Sequence, residues 1–307
     1  MRRKTYGLNM AVTFSTKIGP GYMTTPTFQA HRFWAGESHV IIANENEHKG
    51  PLTEIARISG ADANDLMTIA MWADAAHQRQ AKTVALIPYL PGARQDRGIP
   101  FGAWVYADFI NSMRIDQVIC LDPHSPVMPG LIENLTIIES APIIRHHVVG
   151  RPDSDECPQR YDGIIAPDAG AVERAAHVAN LCGLPLYKAQ KHRDPVTRQL
   201  SGFSCEPLPD TGKFLVVDDI CDGGGTFIGL ARAIGLPAER LGLYVSHGVY
   251  TDRASALPTW FSEIWTTDSY ADDPKPRDPY GESIRETSAD IFKTINIDTY
   301  LRGAIKK

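Results

Sequence analysis

Two adjacent aspartates followed by three consecutive glycines form the most informative chemical motif in the sequence. Asp218 and Asp219 come directly after the apolar run 214–217, and the loop that follows contains Asp222, Gly223, Gly224, Gly225 and Thr226. Paired carboxylates can accept hydrogen bonds from neighbouring sugar hydroxyls, whereas glycine N–H groups and a helix starting near Phe227 can bind a phosphate. The motif therefore predicts a sugar-phosphate site, although a tight strand-to-helix turn with an acidic cap would use the same residue types.

Two other polar groups follow predicted strands in the first half of the chain. Arg94, Gln95 and Asp96 come after a strand predicted over 83–90, and His124 comes after one predicted over 117–121. Arginine and glutamine at the carboxyl end of a strand suit a phosphate-bearing ligand, but a surface ion-pair network would contain the same residues. A histidine there can bind a metal-bound phosphate or satisfy a loop carbonyl.

The second half of the chain holds one more acidic position and a basic stretch. Asp168 follows a strand predicted over 163–166, where it suits Mg²⁺ as an oxygen ligand but equally suits a helix N-cap. Lys191 and Arg193 follow a strand predicted over 185–191 and begin what reads as a basic, polar loop extending to about residue 212. Such a run is usually a solvated face, and here it also has the position of a mobile cover over phosphates.

The composition indicates an ordinary globular protein of 307 residues, with 43% hydrophobic and 22% charged residues. A formal charge of −5 and a pI near 6.1 provide no broad basic surface for nucleic acid or a membrane. The five cysteines lack C-x-x-C spacing, which favours free thiols in the cytoplasm and no zinc site. No segment approaches the about 18 apolar residues of a membrane span, and no apolar segment follows the basic N-terminus as in a signal peptide.

Alternating strand and helix patterns predict an α/β protein with two tandem domains, each a mainly parallel sheet flanked by helices. The polar, proline-bearing segment 150–161 separates the two patterns, so the expected domains are residues 1–149 and 150–307. A hairpin is expected over 31–43 and a closing helix over 299–305, whereas residues 1–30 give no clear pattern.

The order of these motifs resembles that of the phosphoribosyl-pyrophosphate (PRPP) synthetases, also called ribose-phosphate pyrophosphokinases. The 218–226 motif alone is also similar to that of type I phosphoribosyltransferases, so the resemblance implies two phosphoribosyltransferase-like domains. It covers roughly residues 30–268. The motifs that carry it are Arg32-Phe33-Trp34-Ala35-Gly36-Glu37, Asn64-Asp65-Leu66-Met67, Ile87-Pro88-Tyr89, Ala93-Arg94-Gln95-Asp96-Arg97, Asp122-Pro123-His124, Pro167-Asp168-Ala169-Gly170, Lys191-His192-Arg193 and the opening motif.

The resemblance assigns a role to each group of residues. It implies ATP contacts through Phe33 and Glu37 from a neighbouring subunit, and through Arg94, Gln95, Asp96 and His124. It implies association of His124 and Asp168 with Mg²⁺ and makes Lys191 and Arg193 the catalytic basic pair. Asp168, Asp218 and Asp219 would hold the ribose phosphate, with Asp219 as a candidate general base, and residues 222–226 would bind its 5-phosphate. A homo-oligomer is implied because the family's ATP site is shared between subunits.

Two departures from the family pattern have consequences. Ala35 stands where the family usually has aspartate or asparagine, which puts adenine recognition in question. Arg97 is followed directly by Gly98, Ile99 and Pro100, where the family has a longer basic segment that serves ADP control. The sequence therefore predicts weak or absent ADP inhibition at a separate site.

The expected reaction is Mg²⁺-dependent transfer of pyrophosphate from ATP to the anomeric hydroxyl of ribose 5-phosphate. ADP-ribose is the alternative acceptor, for NAD salvage, because three glycines make a lean loop that leaves room for a diphosphate. A non-catalytic regulatory relative is a third possibility, and a phosphoribosyltransferase is opposed by the Arg94-Gln95 and His124 motifs.

Overall fold

A computed structural model describes residues 11–18, 21–22, 27–43, 52–155, 157–193, 200–271 and 291–306. The chain divides into two compact units, residues 1–138 with 298–307 and residues 139–297. The boundary therefore lies at 138/139 and not at the expected 149/150, because the helix that starts at Ser140 packs on a helix of the second unit. The C-terminal residues join the first unit, where Gln117 Nε2 donates to the carbonyl of Ala304 (2.9 Å).

The first unit is built on a six-stranded sheet with the order β2-β1-β5-β6-β7-β8. The four strands from β5 to β8 are parallel, and β1 is antiparallel to both β5 and β2. A separate antiparallel pair, β3 and β4, confirms the expected hairpin, although its first strand begins at Phe28 and not at His31. Numbered along the chain, these strands are β1 (Val12–Ile18), β2 (Gly21–Tyr22), β3 (Phe28–Arg32), β4 (Ser38–Ile42), β5 (Leu52–Ile58), β6 (Lys82–Leu86), β7 (Gln117–Leu121) and β8 (Leu135–Ile138).

Helices α1 (Ala63–Gln78) and α2 (Gly102–Ser112) supply many of the apolar side chains in the core of this unit. Asp62 begins α1, because its side chain accepts a hydrogen bond from the Asn64 N–H (2.8 Å). Trp72 on α1 is fully buried in the core. Two short helices, α3 (Val127–Leu131) and α7 (Asp298–Gly303), complete the described part of this unit.

The second unit contains a seven-stranded sheet with the order β11-β10-β9-β12-β13-β14-β15. Every described neighbouring pair is parallel except β10 and β11. The central strand β12 is apolar over its first four residues because neighbouring strands and helices bury it. The strands are β9 (Gly163–Ala166), β10 (Leu186–Arg193), β11 (Leu200–Cys205), β12 (Phe214–Cys221), β13 (Leu241–Gly248), β14 (Glu263–Thr267) and β15 (Phe292–Ile295).

Among its described residues, the second unit has three α-helices, together with short turns of other helix types. They are α4 (Ser140–Ile144), α5 (Val172–Cys182) and α6 (Gly225–Ile234). A π-helical turn, Arg145–Val149, continues α4, and 3-10 turns cover Ala169–Ala171, Ala238–Arg240 and Asp252–Thr259. In the described part of the chain, none of the helices has both the length and the apolar character that a membrane span requires.

Two sequence predictions around the site were wrong in detail. The segment beyond Lys191 was expected to be a loop, but β10 continues to Arg193 and β11 pairs with it, with Phe203 packed against Gly229 of α6. The strand that was expected to end at Val217 continues to Cys221, because β13 pairs with it beyond Val217. Both acidic residues therefore lie within the strand.

Candidate active site

Asp218 and Asp219 lie near the carboxyl end of β12, the edge at which parallel α/β sheets bind ligands. The Asp219 N–H donates to Asp218 Oδ1 (2.9 Å). Arg174 of α5 lies between the two carboxylates, with its Nη1 3.7 Å from Asp218 Oδ1 and 3.8 Å from Asp219 Oδ1. All three side chains are largely buried, so their charges interact with little screening by water.

Arg174 was missed by the sequence predictions because a single arginine inside a helical pattern carries no chemical signal. The position of α5 in the fold explains why Arg174 lies beside the acidic pair. The helix that carries it follows β9, and the first turns of such a helix lie beside the carboxyl edge of the sheet. A basic residue early in α5 therefore comes within reach of the acidic pair.

Burial is the main cause of an altered charge state in the acidic pair. It raises the pKa of Asp218 well above the ordinary 3.8, and the nearby charges of Asp219 and Asp168 add to the effect. The two adjacent carboxylates therefore favour a state in which a proton is retained by the pair. A sugar hydroxyl or a cation that binds there will change that balance.

The Lys191 ammonium forms an ion pair with Asp168 Oδ2. Asp168 Oδ1 accepts hydrogen bonds from the N–H groups of Gly170 (2.9 Å) and Ala171 (3.2 Å), so it caps the turn that leads into α5. Asp168 therefore acts as an N-cap and also holds Lys191 at the carboxyl end of β9. The side chain of Arg193 lies outside the described residues.

The three glycines of the loop have different surroundings. Gly224 has a φ of 72°, and a Cβ there would approach Leu257, so its conformation favours glycine. A Cβ on Gly223 would lie 3.3 Å from Thr251 Oγ1 and 3.6 Å from Arg253 Cβ. A Cβ on Gly225 would have no atom within 4 Å. Because α6 begins at Gly225, its first N–H groups are available for a phosphate.

In the first unit, the loops after β6 and β7 bring Asp96 and His124 together with Ser125. Burial alone would raise the pKa of Asp96, but hydrogen bonds from Ser125 and Arg97, and the charges of Arg97 and His124, bring this pKa below its ordinary value. The parallel strands β6 and β7 are neighbours, which explains why their following loops meet. Ser125 was not among the residues predicted for the site.

Gln95 and Arg94 belong to the same loop but have different surroundings. The Gln95 side chain lies against Gly102 at the start of α2, where a Cβ would come within 2.8 Å of Gln95 Cβ. Backbone bonds from Gln95 N–H to the Gly92 carbonyl (2.8 Å) and from Ala103 N–H to the Gln95 carbonyl (3.0 Å) fix the loop. Arg94 and Gln95 are both exposed, as residues that contact a ligand from the surface would be.

Phe33 and Glu37 lie on the turn between β3 and β4. The Phe33 N–H donates to the Glu37 carbonyl (2.9 Å), and the Phe33 ring lies 5.0 Å from His31 and 5.4 Å from His39. Phe33 is nevertheless 47% exposed, and the adjacent Trp34 is fully exposed. An exposed aromatic pair on a hairpin turn suits contact with another molecule.

The residues expected near Mg²⁺ lie in different units, His124 in the first and Asp168 in the second. Within the described ranges, no three His, Cys, Asp or Glu side chains are arranged to hold a metal ion. Both oxygens of Asp168 already accept hydrogen bonds from the protein. A carboxylate engaged in this way suits contact with Mg²⁺ through the water shell of the ion.

Known proteins resemble the chain in sequence and in fold. Residues 152–258 match the family model described as phosphoribosyl transferase domain. The chain is 28% identical over 251 residues to the ribose-phosphate pyrophosphokinase of Bradyrhizobium diazoefficiens, which covers 76% of this chain and 75% of that protein. The corresponding values for the enzyme of Pasteurella multocida are 28% over 252 residues, 76% and 75%.

The structure of phosphoribosylpyrophosphate synthetase from Mycobacterium smegmatis has the same fold, with a TM-score of 0.67 at 20% identity. The match covers 90% of this chain and 88% of that protein. The domain match contains the Lys191–Asp168 pair, the acidic strand and the glycine loop. In sequence and in fold the chain therefore resembles the ribose-phosphate pyrophosphokinases, or PRPP synthetases, and it contains a match to the phosphoribosyl transferase domain.

Proposed function

We propose that the protein transfers the β,γ-diphosphoryl group of ATP to the anomeric hydroxyl of ribose 5-phosphate, which yields PRPP and AMP. The observation that carries this proposal is the acidic pair of β12 bridged by Arg174, followed by a glycine loop that leads directly into α6. The acidic pair suits the ribose hydroxyls, and the loop and helix start suit the 5-phosphate. The names of the relatives support the same reaction.

In this reaction the anomeric oxygen of the acceptor attacks the β-phosphorus of ATP. The bond between that phosphorus and the oxygen bridging the α- and β-phosphates breaks, and the bridging oxygen leaves with AMP. The hydroxyl proton is lost, and Asp219 is the candidate to accept it. Positioning and charge stabilisation account for most of the catalysis of such transfers.

Basic side chains neutralise the charge that builds on the transferred group. We assign this role to Lys191, to Arg193 and, from the ATP side, to Arg94. In the free protein the Lys191 ammonium is held by Asp168. A triphosphate competes with Asp168 for this ammonium, so the ion pair keeps Lys191 in place until ATP binds.

Mg²⁺ is the proposed cofactor, with His124 and Asp168 as the residues beside it. When bound with ATP, Mg²⁺ neutralises phosphate charge and makes the phosphorus more electrophilic. Activity should be lost on chelation and restored by added Mg²⁺. Full activity with excess chelator would contradict the assignment.

We propose that the ATP site is shared between subunits of a homo-oligomer, with Phe33 and Glu37 contacting the adenine bound by a neighbour. The exposed Phe33 and Trp34 support this arrangement. Phe33→Ala and Lys191→Ala each damage a different part of a shared site. Mixing the two variants should restore part of the activity, and a mixture no more active than its components would contradict sharing.

ADP-ribose is a second candidate acceptor, favoured by the open space beside Gly225. It carries a ribose with a free anomeric hydroxyl, but a second phosphate and adenosine extend from the 5-phosphate. A loop without a side chain at this point leaves space for that extension. Both acceptors should be compared side by side by AMP release, where the preferred one has the higher kcat/KM. If neither acceptor yields AMP, the proposed function is wrong.

A further inference from the structure

The segment that follows β13, residues 249–253, lies against the glycine loop. The N–H groups of Val249 (2.9 Å) and Tyr250 (3.1 Å) both donate to the Cys221 carbonyl, and the Thr251 N–H donates to the Asp222 carbonyl (3.2 Å). Tyr250 is buried and has a positive φ of 46°, a conformation that persists only where the surroundings enforce it. The segment is therefore fixed to the loop by its backbone.

Arg253 is the basic residue that this segment places against the loop. A Cβ on Gly223 would lie 3.6 Å from Arg253 Cβ and 3.8 Å from Arg253 Cδ, so the aliphatic part of the arginine runs along the glycine. The guanidinium follows directly on Cδ, which puts the charge beside the loop. The residue is exposed, so a ligand that occupies the loop can approach it.

The loop thus has two features for binding anionic groups. The N–H groups at the start of α6 suit a first phosphate, and an arginine beside Gly223 suits another anionic group attached to it. A ribose 5-phosphate has one phosphate and satisfies only the first feature. A ribose with a 5-diphosphate satisfies both.

We propose that Arg253 binds the second phosphate of a diphosphate-bearing acceptor such as ADP-ribose, and so determines acceptor preference. This inference rests on the proposed transfer reaction and names the residue that would select between its two acceptors. Arg253 makes little difference to ribose 5-phosphate, whose phosphate is bound by the N–H groups of the loop and α6.

Equilibrium binding tests this proposal without any need for turnover. Calorimetric titration of the full chain with ADP-ribose and with ribose 5-phosphate should show that Arg253→Ala weakens ADP-ribose binding by about 10- to 100-fold. Ribose 5-phosphate binding should change by less than about threefold. Arg253→Lys keeps the charge without the two-pronged geometry and should recover part of the affinity.

Arg232→Ala is the matched control, because Arg232 lies in the last turn of α6, stacked over Trp260, at the opposite end of the helix from the loop. It should leave the affinity ratio of the two acceptors unchanged. Equal losses for both acceptors in Arg253→Ala, or no loss for ADP-ribose, would overturn the proposal. Failure of the wild-type protein to bind ADP-ribose would also overturn the proposal.

AMP release measured on the same proteins separates the claim that the protein catalyses the transfer from the claim that Arg253 binds the second phosphate. If neither acceptor yields AMP, the transfer reaction is rejected. The ratio of the affinities for ADP-ribose and ribose 5-phosphate still decides the role of Arg253. AMP release from ribose 5-phosphate together with an unchanged binding ratio in Arg253→Ala leaves the reaction standing and rejects the subsite.

Discussion

At the level of single residues, Lys191 is the side chain whose loss should most affect the chemical step. Its ammonium is held by Asp168 in the free protein and is proposed to neutralise charge on the transferred diphosphoryl group. Lys191→Ala should lower kcat by about 10²–10³-fold, the scale of a lost donor to a developing anion, with a smaller change in KM.

Lys188→Ala is the control for that variant. Lys188 is an exposed lysine of the same strand, so the two variants lose the same charge. Steady-state kinetics should show near-normal kcat for Lys188→Ala. A near-normal kcat in Lys191→Ala would remove Lys191 from the catalytic group.

Arg174 should matter for the acceptor. Its Nη1 lies at ion-pair distance from both Asp218 and Asp219, and it offsets the repulsion between these two carboxylates. Arg174→Met should raise the KM for the acceptor by about 10- to 100-fold, because the pair would hold its proton more firmly and accept fewer hydrogen bonds.

Arg174→Lys retains the charge and should recover part of this loss. Thermal unfolding of both variants distinguishes a local change from a general loss of structure. A variant with a near-wild-type Tm and an unchanged acceptor KM would show that the arginine does not position the pair.

At the level of elements, a charged cluster at the start of β14 stabilises the sheet of the second unit. Glu263 accepts hydrogen bonds from Tyr161 (2.9 Å), Lys293 (2.7 Å) and Lys213 (3.2 Å). Burial alone would raise the pKa of Glu263, but these donors and the two lysine charges lower it from 4.5 to about 2. The ionised carboxylate is therefore favoured by the fold.

A carboxyl whose pKa is lower in the folded than in the unfolded protein stabilises the fold. This stabilisation is complete above the unfolded-state pKa and is lost as the pH falls through the folded-state pKa. Glu263→Gln should reduce the Tm at neutral pH, and the difference from wild type should shrink between pH 4.5 and about pH 2. Glu239→Gln, an exposed substitution in a 3-10 turn, should have little effect. A Tm difference independent of pH would contradict this role.

The elements also show where prediction from the sequence works and where it does not. β7 and β9 were predicted with their observed bounds, because short apolar runs ended by turn residues have one consistent interpretation. β5 was missed because Glu54 interrupts its apolar pattern. This carboxyl is buried, and it accepts a hydrogen bond (2.8 Å) from the Thr16 hydroxyl of β1, the neighbouring strand in the sheet.

Some residues of the site could likewise be predicted from the sequence, and others could not. The acidic pair and the glycine loop were visible because their residues are contiguous in sequence. Arg174 and Arg253 were not, because only the fold brings α5 and the segment after β13 to the loop and the acidic strand. The ion pair between Lys191 and Asp168 likewise joins two motifs that the sequence showed separately.

At the level of the whole molecule, regulation should be simpler than in relatives with a longer basic segment after the ATP-side arginines. In this chain Arg97 is followed at once by Gly98, Ile99 and Pro100, all exposed. ADP should therefore inhibit by competing with ATP alone, with a hyperbolic dependence on concentration. Steep inhibition that ATP does not relieve would show a separate ADP site.

The fate of the ATP phosphates tests the proposed reaction most directly. ATP labelled at the β-phosphate should be incubated with the full chain, Mg²⁺ and each acceptor in turn, and the products separated. Transfer of a diphosphoryl group predicts that the label appears on the acceptor, with one AMP formed for each product molecule and without ADP. Label remaining in ADP, or ATP consumption without labelled acceptor, would contradict the proposed function.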